Sequence, residues 1–320
     1  MSSCNSVYHA EKYGFSKAKS CKELKDFLIG VSKKHKVLHH FTTIDTLIYL
    51  LNDKTWKFSS PKKTNDLQEL EKLDPQNIDH SWDNLFSSSF THGDDENMGM
   101  WVMYDQRIKD LYDNTCIERR APKLFPICIS FFNTFWITLT DSKNNANSDN
   151  IRLCDMEKNR IFQNEQFEIS MNDIVYYHGL MHSPEARLCW GNIIKIMDKD
   201  DLVNIKNGSV NGLVGFLKNS AWEYEKETRI TIRFNKPIND RKEFLLHLDG
   251  FDPWKDILKV QFSPFTNKTK DEILDYVKGK TDSCYHAWLD LNLNSSYFYK
   301  RLSTSNVEYF KKENTDNKTM

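Results

Sequence analysis

Residues 222–234 have the sequence WEYEKETRITIRF, which contains the clearest strand pattern in the chain. From Tyr224 to Phe234, polar and less polar side chains alternate, and this alternation predicts a β-strand. Side chains two positions apart on a strand point to the same face. One face of this strand is therefore expected to be polar and charged, and its residues are Glu225, Glu227, Arg229, Thr231 and Arg233.

The segments around this strand alternate between helical and extended patterns. Apolar residues at helical spacing predict helices over residues 20–34 and from Ile44 to Leu51, the second with Thr42 or Thr43 as its N-cap. Further helices are predicted at residues 98–104 and 270–277. Strands are predicted at residues 37–41, 56–58, 85–90, 125–132, 174–177 and 258–262, with 133–140 as the second strand of a hairpin and a polar insertion at 141–150. Strands scattered among helices without a regular β-α-β repeat predict an α+β fold with a mostly antiparallel sheet.

The composition disfavours several broad classes of protein. The 44 basic and 45 acidic side chains give a net charge of −1, so the chain has no general attraction to nucleic acid or acidic lipid. No apolar run is long enough to cross a bilayer, and we expect no membrane association. The seven cysteines form no CxxC pair, which favours a reducing compartment and predicts a cytoplasmic protein. The glycine-rich motifs of Rossmann dehydrogenases and P-loop NTPases do not occur.

Four separated segments resemble the motifs of a known family and occur in the same order. They are LHHFTTI at 38–44, WKFSSPKKTND at 56–66, FSSSF at 86–90 with NMGMWVMY at 97–104, and WEYEKETR at 222–229, which follows Lys218. The family is the domain of unknown function numbered 2971. The resemblance covers residues 37–280 and leaves an N-terminal helical extension at 1–36 and a helical, frayed tail at 281–320.

The same segments have a more distant similarity to ADP-ribosyltransferases. The shared features are an early His-x-Thr (His40–Thr42), a Trp-x-x-Ser strand (Trp56–Ser59) and a late Glu-x-Glu strand (Glu225–Glu227). This similarity implies a mostly antiparallel split sheet with flanking helices and an NAD-binding cleft between two small sheets. It also implies an enzyme that consumes NAD and transfers ADP-ribose to a protein or nucleic-acid acceptor, in a bacterial defence or toxin setting.

The resemblance assigns the catalytic chemistry to the late strand. Glu227 would bind a ribose hydroxyl of NAD and stabilise the positive charge that develops as nicotinamide leaves. Glu225 would orient the acceptor, and Arg229 would keep Glu227 ionised or bind a phosphate. The alternative is a solvated strand face, on which a salt bridge contributes at most ~1 kcal/mol.

The resemblance assigns NAD binding to residues from three other segments, which are His40, Thr42, Trp56, Ser59 and Tyr104. His40 would donate to the adenosine ribose with Thr42 beside it, and Tyr104 would stack on the nicotinamide ring. These positions also have structural explanations. Thr42 could be only a helix N-cap, Ser59 could belong to a turn, and the helix that ends at Tyr104 could pack in the core.

The sequence also contains a candidate metal-binding pair and allows a non-catalytic function. His178 and His182 have the four-residue spacing of a helical zinc-binding pair, but Gly179 and Pro184 disfavour a helix there, so no metal is expected. The rival to an enzyme is a module that senses a small molecule or binds a partner, in which the charged strand is only a polar surface. The sequence leaves the acceptor and the oligomeric state open.

Overall fold

The computed structural model describes residues 21–60, 84–93, 97–104, 125–144, 152–154, 167–177, 217–235, 243–266 and 268–296. Within these ranges the α-helices are α1 (Cys21–Ser32), α2 (Ile44–Asp53), α3 (Met98–Tyr104), α4 (Asn133–Asn144), α5 (Pro253–Asp256), α6 (Lys270–Lys278) and α7 (His286–Asn292). Two 3-10 helices span Ser220–Glu225 and Ser283–Tyr285. The β-strands are β1 (Val37–Thr43), β2 (Thr55–Ser59), β3 (Leu85–Thr91), β4 (Pro126–Phe132), β5 (Arg152–Cys154), β6 (Phe167–Asp173), β7 (Val175–Tyr177), β8 (Leu217–Asn219), β9 (Glu227–Phe234), β10 (Glu243–His247), β11 (Ile257–Phe262) and β12 (Leu293–Ser295). No helix in the described part of the chain has the length and apolar character needed to cross a membrane.

The chain divides into two compact units. Unit 1 comprises residues 1–38, 55–93 and 132–250, and unit 2 comprises residues 39–54, 94–131 and 251–320. The boundaries 37–280 that the family resemblance implies for its domain stay a prediction.

Unit 1 contains an antiparallel sheet with β9 between β3 and β6. Residues Leu85–Thr91 of β3 pair with β9 over seven positions, and β6 pairs with the other edge of β9 over seven positions. Beyond β3 the order continues through β2 and β10 to β5, all antiparallel. Helices α1 and α4 contact β6, while β7 and β8 form a separate parallel pair. The mixed α/β architecture with a mostly antiparallel sheet and flanking helices agrees with the sequence-based prediction.

Aromatic side chains form much of the core of unit 1. Trp56 and Trp136 are almost fully buried, and their ring centroids lie 5.6 Å apart. Phe90 packs on both indoles at 5.7 and 5.0 Å. These edge-to-face and stacked contacts lie in the range that stabilises aromatic pairs. Ile230, Ile232 and Phe234, which point away from Glu227 on β9, contribute to the same apolar interior.

The predicted hairpin at residues 133–140 is wrong, because this segment begins helix α4. Asn133 starts the helix, and its side-chain amide donates to the carbonyls of Ser32 and His35 at 2.9 Å each. Trp136 and Thr140 are both buried and are separated by one helical turn. The aromatic and β-branched residues of this segment have a local preference for strands, and tertiary packing overrides it. Residues 141–144 continue the helix, and the rest of the predicted polar insertion lies outside the described residues.

Unit 2 contains the greater part of β1 with β4, β11 and β12. Strand β11 pairs antiparallel with β4 and parallel with β12, and β4 neighbours β1. Phe41, Met100, Trp101 and Cys128 form a buried cluster, so the predicted core packing of α3 is confirmed for Met100 and Trp101.

Thr43 is the N-cap residue of α2, but neither threonine before this helix caps it with its side chain. The Thr43 side chain makes no capping hydrogen bond, and the Thr42 hydroxyl bonds instead to that of Thr46 at 2.8 Å. The backbone N–H of Ile44 donates to the carbonyl of Phe125, the residue before β4. This N–H is therefore not available to a capping side chain. The N-cap interpretation of Thr42 is therefore wrong.

Candidate functional site

The chain changes conformation immediately before β9. The 3-10 helix ends at Glu225, Lys226 has a φ of 44°, and β9 begins at Glu227. This left-handed residue interrupts the strand that we predicted from Tyr224. Glu225 therefore does not lie on the same strand face as Glu227, and that part of the sequence interpretation is wrong.

Lys218 nevertheless brings the two carboxylates together. Its Nζ lies 2.6 Å from Oε2 of Glu225 and 3.2 Å from Oε2 of Glu227. Arg229 binds Glu227 through two donors, with Nε 2.6 Å from Oε1 and Nη2 3.1 Å from Oε2. The backbone N–H of Glu227 donates to the Tyr176 hydroxyl at 2.7 Å. These five residues form the Glu227 cluster.

The Glu227 cluster lies almost entirely inside unit 1. Glu227 and Arg229 each retain only 2% of their accessible surface, and Lys218 retains 7%. The interpretation of this strand face as solvated is therefore wrong. Charges are buried at this depth only when they are paired and hydrogen-bonded, and the cluster meets this requirement.

The surroundings shift the pKa values of the two carboxyl groups in opposite directions. Burial acts to raise the pKa of Glu227, but Arg229 and Lys218 together outweigh it and lower this pKa to about 2. For Glu225, burial raises the pKa and the charge of Glu227 adds to the effect, against the opposing charge of Lys218. Glu227 is thus held ionised, while Glu225 takes up a proton more readily than an exposed glutamate does.

The face of β9 that carries Glu227 continues as a polar row across the neighbouring strands. Ser89 on β3 and Asn172 on β6 pair with Arg229 from either side. The Ser89 hydroxyl donates to the Glu227 carboxylate, which further lowers the pKa of Glu227. Asn172 is completely buried, and among the described residues neither atom of its amide group has a hydrogen-bond partner. A buried amide in this state is costly.

Sequence reasoning missed the contributions of Lys218, Tyr176 and Asn172 to this site. In the sequence, Lys218 belongs to a family motif and Tyr176 to a predicted strand. Neither gives a local signal, because their contacts with Glu227 span 9 and 51 positions along the chain. Asn172 would have been found only from the strand register of β6 against β9.

The structure brings Glu225, Glu227 and Arg229 together, and it places the predicted NAD-binding residues as follows. Trp56 is a core residue whose Nε1 donates to the Ser88 hydroxyl at 2.8 Å. Ser59 is half-buried at the end of β2, between Ser87 and Glu243. His40 and Thr42 are half-buried residues of unit 2.

Tyr104 is the last residue of α3, in unit 2. Its side chain lies outside the described part of the structure. The expectation that His40, Trp56, Tyr104 and Glu227 line one pocket stays a prediction.

A second polar group in unit 1 contains His35, His92 and Asp173. Nε2 of His35 lies 2.8 Å from Oδ2 of Asp173, and Nδ1 of His92 lies 3.8 Å from Oδ1. The two imidazole rings stack with their centroids 4.0 Å apart and their planes 2° from parallel. The sequence gave no indication of this group, whereas His178 and His182, the pair it did suggest, lie outside the described residues.

Comparison with known proteins gives no further guide. No family model, no curated protein and no solved structure matches this chain. The geometry of unit 1 is therefore the main basis for assigning a function, together with the motif resemblance.

Proposed function

We propose that this chain is an NAD-dependent ADP-ribosyltransferase-like enzyme, similar to the domain of unknown function numbered 2971. The observation that supports the proposal best is the pairing of Glu225 and Glu227 on Lys218, with their pKa values shifted in opposite directions. Two carboxylates whose environments separate their pKa values are typical of sites that use one as a fixed anion and the other as an acid or base.

Glu227 is suited to be the fixed anion. Cleavage of the bond between nicotinamide and ribose passes through a transition state with positive charge on the sugar, as in glycoside hydrolysis. A carboxylate that is already oriented stabilises this charge without reorganisation. Arg229 and Lys218 hold the Glu227 carboxylate in one orientation and keep it ionised at neutral pH.

Glu225 is suited to be the base that activates an acceptor. Its side chain is more exposed than that of Glu227, at 13% against 2%, and its pKa is raised mainly by burial. A general base works best when its pKa lies near the working pH, so this shift moves Glu225 in the useful direction. The acceptor hydroxyl, amine or carboxylate would belong to a protein or a nucleic acid.

The remaining roles concern the binding of NAD. The buried amide of Asn172 has the donor and the acceptor that a ribose hydroxyl pair requires, and it lies on the same strand face as Arg229. His40, Thr42, Ser59 and Tyr104 keep the NAD-binding roles that the resemblance implies, whereas Trp56, which is 1% exposed, can only support those residues from the core. A cytoplasmic setting and a role in bacterial defence or as a toxin belong to the same proposal.

One observation favours a non-catalytic module instead. Both carboxylate oxygens of Glu227 already bind cationic groups, and the side chain is 2% exposed, as in a structural ion pair. In that alternative the Glu227 cluster supports a site that senses a small molecule or binds a partner, and no bond is broken.

Nicotinamide release separates the two functions. Wild-type protein is incubated with NAD, alone and with candidate protein or nucleic-acid acceptors, and compared with Glu225→Gln, Glu227→Gln and the exposed-site control Glu168→Gln. A transferase should lose at least about 10²-fold in turnover per folded molecule with Glu227→Gln and keep full activity with Glu168→Gln. Glu225→Gln should reduce acceptor modification more than NAD hydrolysis. Wild-type protein that neither binds NAD by calorimetry nor releases nicotinamide with any acceptor would leave only the non-catalytic module.

A further inference from the structure

The three residues His35, His92 and Asp173 have the geometry of a metal-ligand set. One ligand atom from each, taken from the ring nitrogens and the carboxylate oxygens, lies within 4.8 Å of the other two. Tetrahedral zinc with bonds of about 2.0–2.1 Å needs its ligand atoms roughly 3.3 Å apart. Nε2 of His35 lies 2.8 Å from Oδ2 of Asp173, and Nδ1 of His92 lies 3.8 Å from Oδ1, so one distance is shorter and the other longer than that separation.

Each of the three residues is held in place by independent backbone contacts. Asn133 donates to the carbonyl of His35, and the N–H of His92 donates to the carbonyl of Lys226 at 3.0 Å. Asp173 pairs in the sheet with Thr228. Because the backbone of each ligand is fixed in this way, metal binding would require the side chains to adjust but not the backbone.

The carboxylate also has the supporting hydrogen bond that metal sites commonly show. Thr228 Oγ1 donates to Oδ1 of Asp173 at 2.7 Å and lies 3.0 Å from Nδ1 of His92. Such outer contacts orient a ligand and set its basicity. Thr228 and Glu227 are consecutive on β9, so their side chains point to opposite faces, and the histidine group is distinct from the Glu227 cluster.

The exposure of the two rings allows an ion to enter and the rings to adjust. Their side chains are 20% and 24% exposed, while that of Asp173 is 4% exposed. Because the two rings stack in parallel with their centroids 4.0 Å apart, binding requires them to turn until one nitrogen of each ring points at the ion.

We propose that His35, His92 and Asp173 bind one divalent transition-metal ion, for which Zn²⁺ is the best match. Two imidazoles and one carboxylate are a common ligand set for zinc. Three protein ligands leave a fourth position for water or for an oxygen atom of a ligand. The proposal does not depend on the NAD chemistry, and it replaces the expectation from sequence that the chain holds no metal.

Calorimetric titration of Zn²⁺ into the full chain, freed of metal by chelation, tests the proposal. We expect one site that the single variants His35→Gln and His92→Gln each weaken by at least about 10²-fold. Thr228→Val, which removes the hydroxyl that bonds to Asp173 and His92, should weaken zinc binding about tenfold. His286→Gln is the matched control, since within the described residues that half-buried ring bonds to the backbone carbonyls of Lys278 and Thr281. The zinc affinity of this variant should equal that of wild type.

X-ray absorption of the zinc-loaded wild-type protein gives a second measurement that needs no variant. Two imidazole nitrogens and at least one carboxylate oxygen around the ion support the proposal even if a variant folds poorly. A thiolate-rich shell would overturn it. Wild-type affinity no tighter than that of the His35→Gln/His92→Gln double variant would also overturn it, and the group would then be only a hydrogen-bonded cluster.

Discussion

Replacing Glu227 by Gln removes the central negative charge of the Glu227 cluster while keeping the size of the side chain. Lys218 retains Glu225 as a partner, but Arg229 loses the carboxylate that binds its Nε and Nη2 groups. The amide nitrogen of the new glutamine must also point at one of these donors. Because Glu227 is 2% exposed, water does not replace the lost interaction.

The structure sets the size of the effect. The pKa of Glu227 is lowered from 4.5 to about 2, and one pKa unit corresponds to about 1.4 kcal/mol, so the ionised carboxylate contributes about 3 kcal/mol to folding. Breaking a buried ion pair typically costs about 3–5 kcal/mol, which is consistent. A salt bridge on a solvated strand face, the alternative that the sequence allows, would contribute at most ~1 kcal/mol to stability. The measured loss therefore distinguishes a buried cluster from a surface pair.

The pH dependence follows from the sign of the shift. A carboxyl group with a lowered pKa in the folded state stabilises the protein above its ordinary pKa of 4.5, and this stabilisation is lost as the pH falls towards about 2. The difference in unfolding free energy between wild type and Glu227→Gln should have its full value at pH 7 and should become smaller below pH 4.5.

Urea unfolding at several pH values is the assay, and Glu168→Gln is the control. Glu168 is an exposed glutamate on the adjacent strand β6, and its replacement should change stability by no more than about 0.5 kcal/mol. A loss below about 1 kcal/mol for Glu227→Gln at pH 7, or a loss that is the same at pH 7 and near pH 2, would refute the reasoning.

Three further variants test other parts of unit 1. Glu225→Gln should lower the free energy of unfolding by less than about 1 kcal/mol at pH 7, because burial raises the pKa of Glu225 and so disfavours its charged form. The stability of wild type relative to this variant should fall as the pH rises above 4.5. Urea unfolding at pH 4 and pH 8 checks the sign of this change. Asn133→Ala removes the donor to the carbonyls of Ser32 and His35 and should cost about 2 kcal/mol, and an unchanged urea midpoint would contradict that role. Trp136→Ala opens a large cavity in the aromatic core and should lower stability by about 3–5 kcal/mol, which differential scanning calorimetry would detect as a lower Tm.

The positions of most helices and strands were predictable because their signals are local. Helices α1, α2, α3 and α6 and strands β1, β2, β3, β4 and β11 lie within a few residues of the segments that the apolar spacing indicated. The hairpin predicted at residues 133–140 was wrong because the local preference for strands was countered by contacts from Asn133 to a distant loop. The start of β9 was also misplaced, since the turn at Lys226 has no glycine to mark it.

The candidate sites depended much more on tertiary structure. The sequence identified Glu225, Glu227 and Arg229 as a charged group, but it gave no means of deciding whether water surrounds them. Burial and pKa depend on groups that approach from distant segments, such as Tyr176, and Coulomb interactions become strong only when those groups exclude water.

The sequence by itself determined the charge balance, the order of most helices and strands, and the identity of the charged residues before and within β9. Only the tertiary structure decided that Glu227 is buried and that the carboxyl groups of Glu225 and Glu227 share Lys218. It alone brought His35, His92 and Asp173 together, across as many as 138 positions of the chain. The physical reason is that helix and strand preferences act between near neighbours, whereas burial, ion pairing and metal-ligand geometry are set by strand register and packing, which join residues without any local signal.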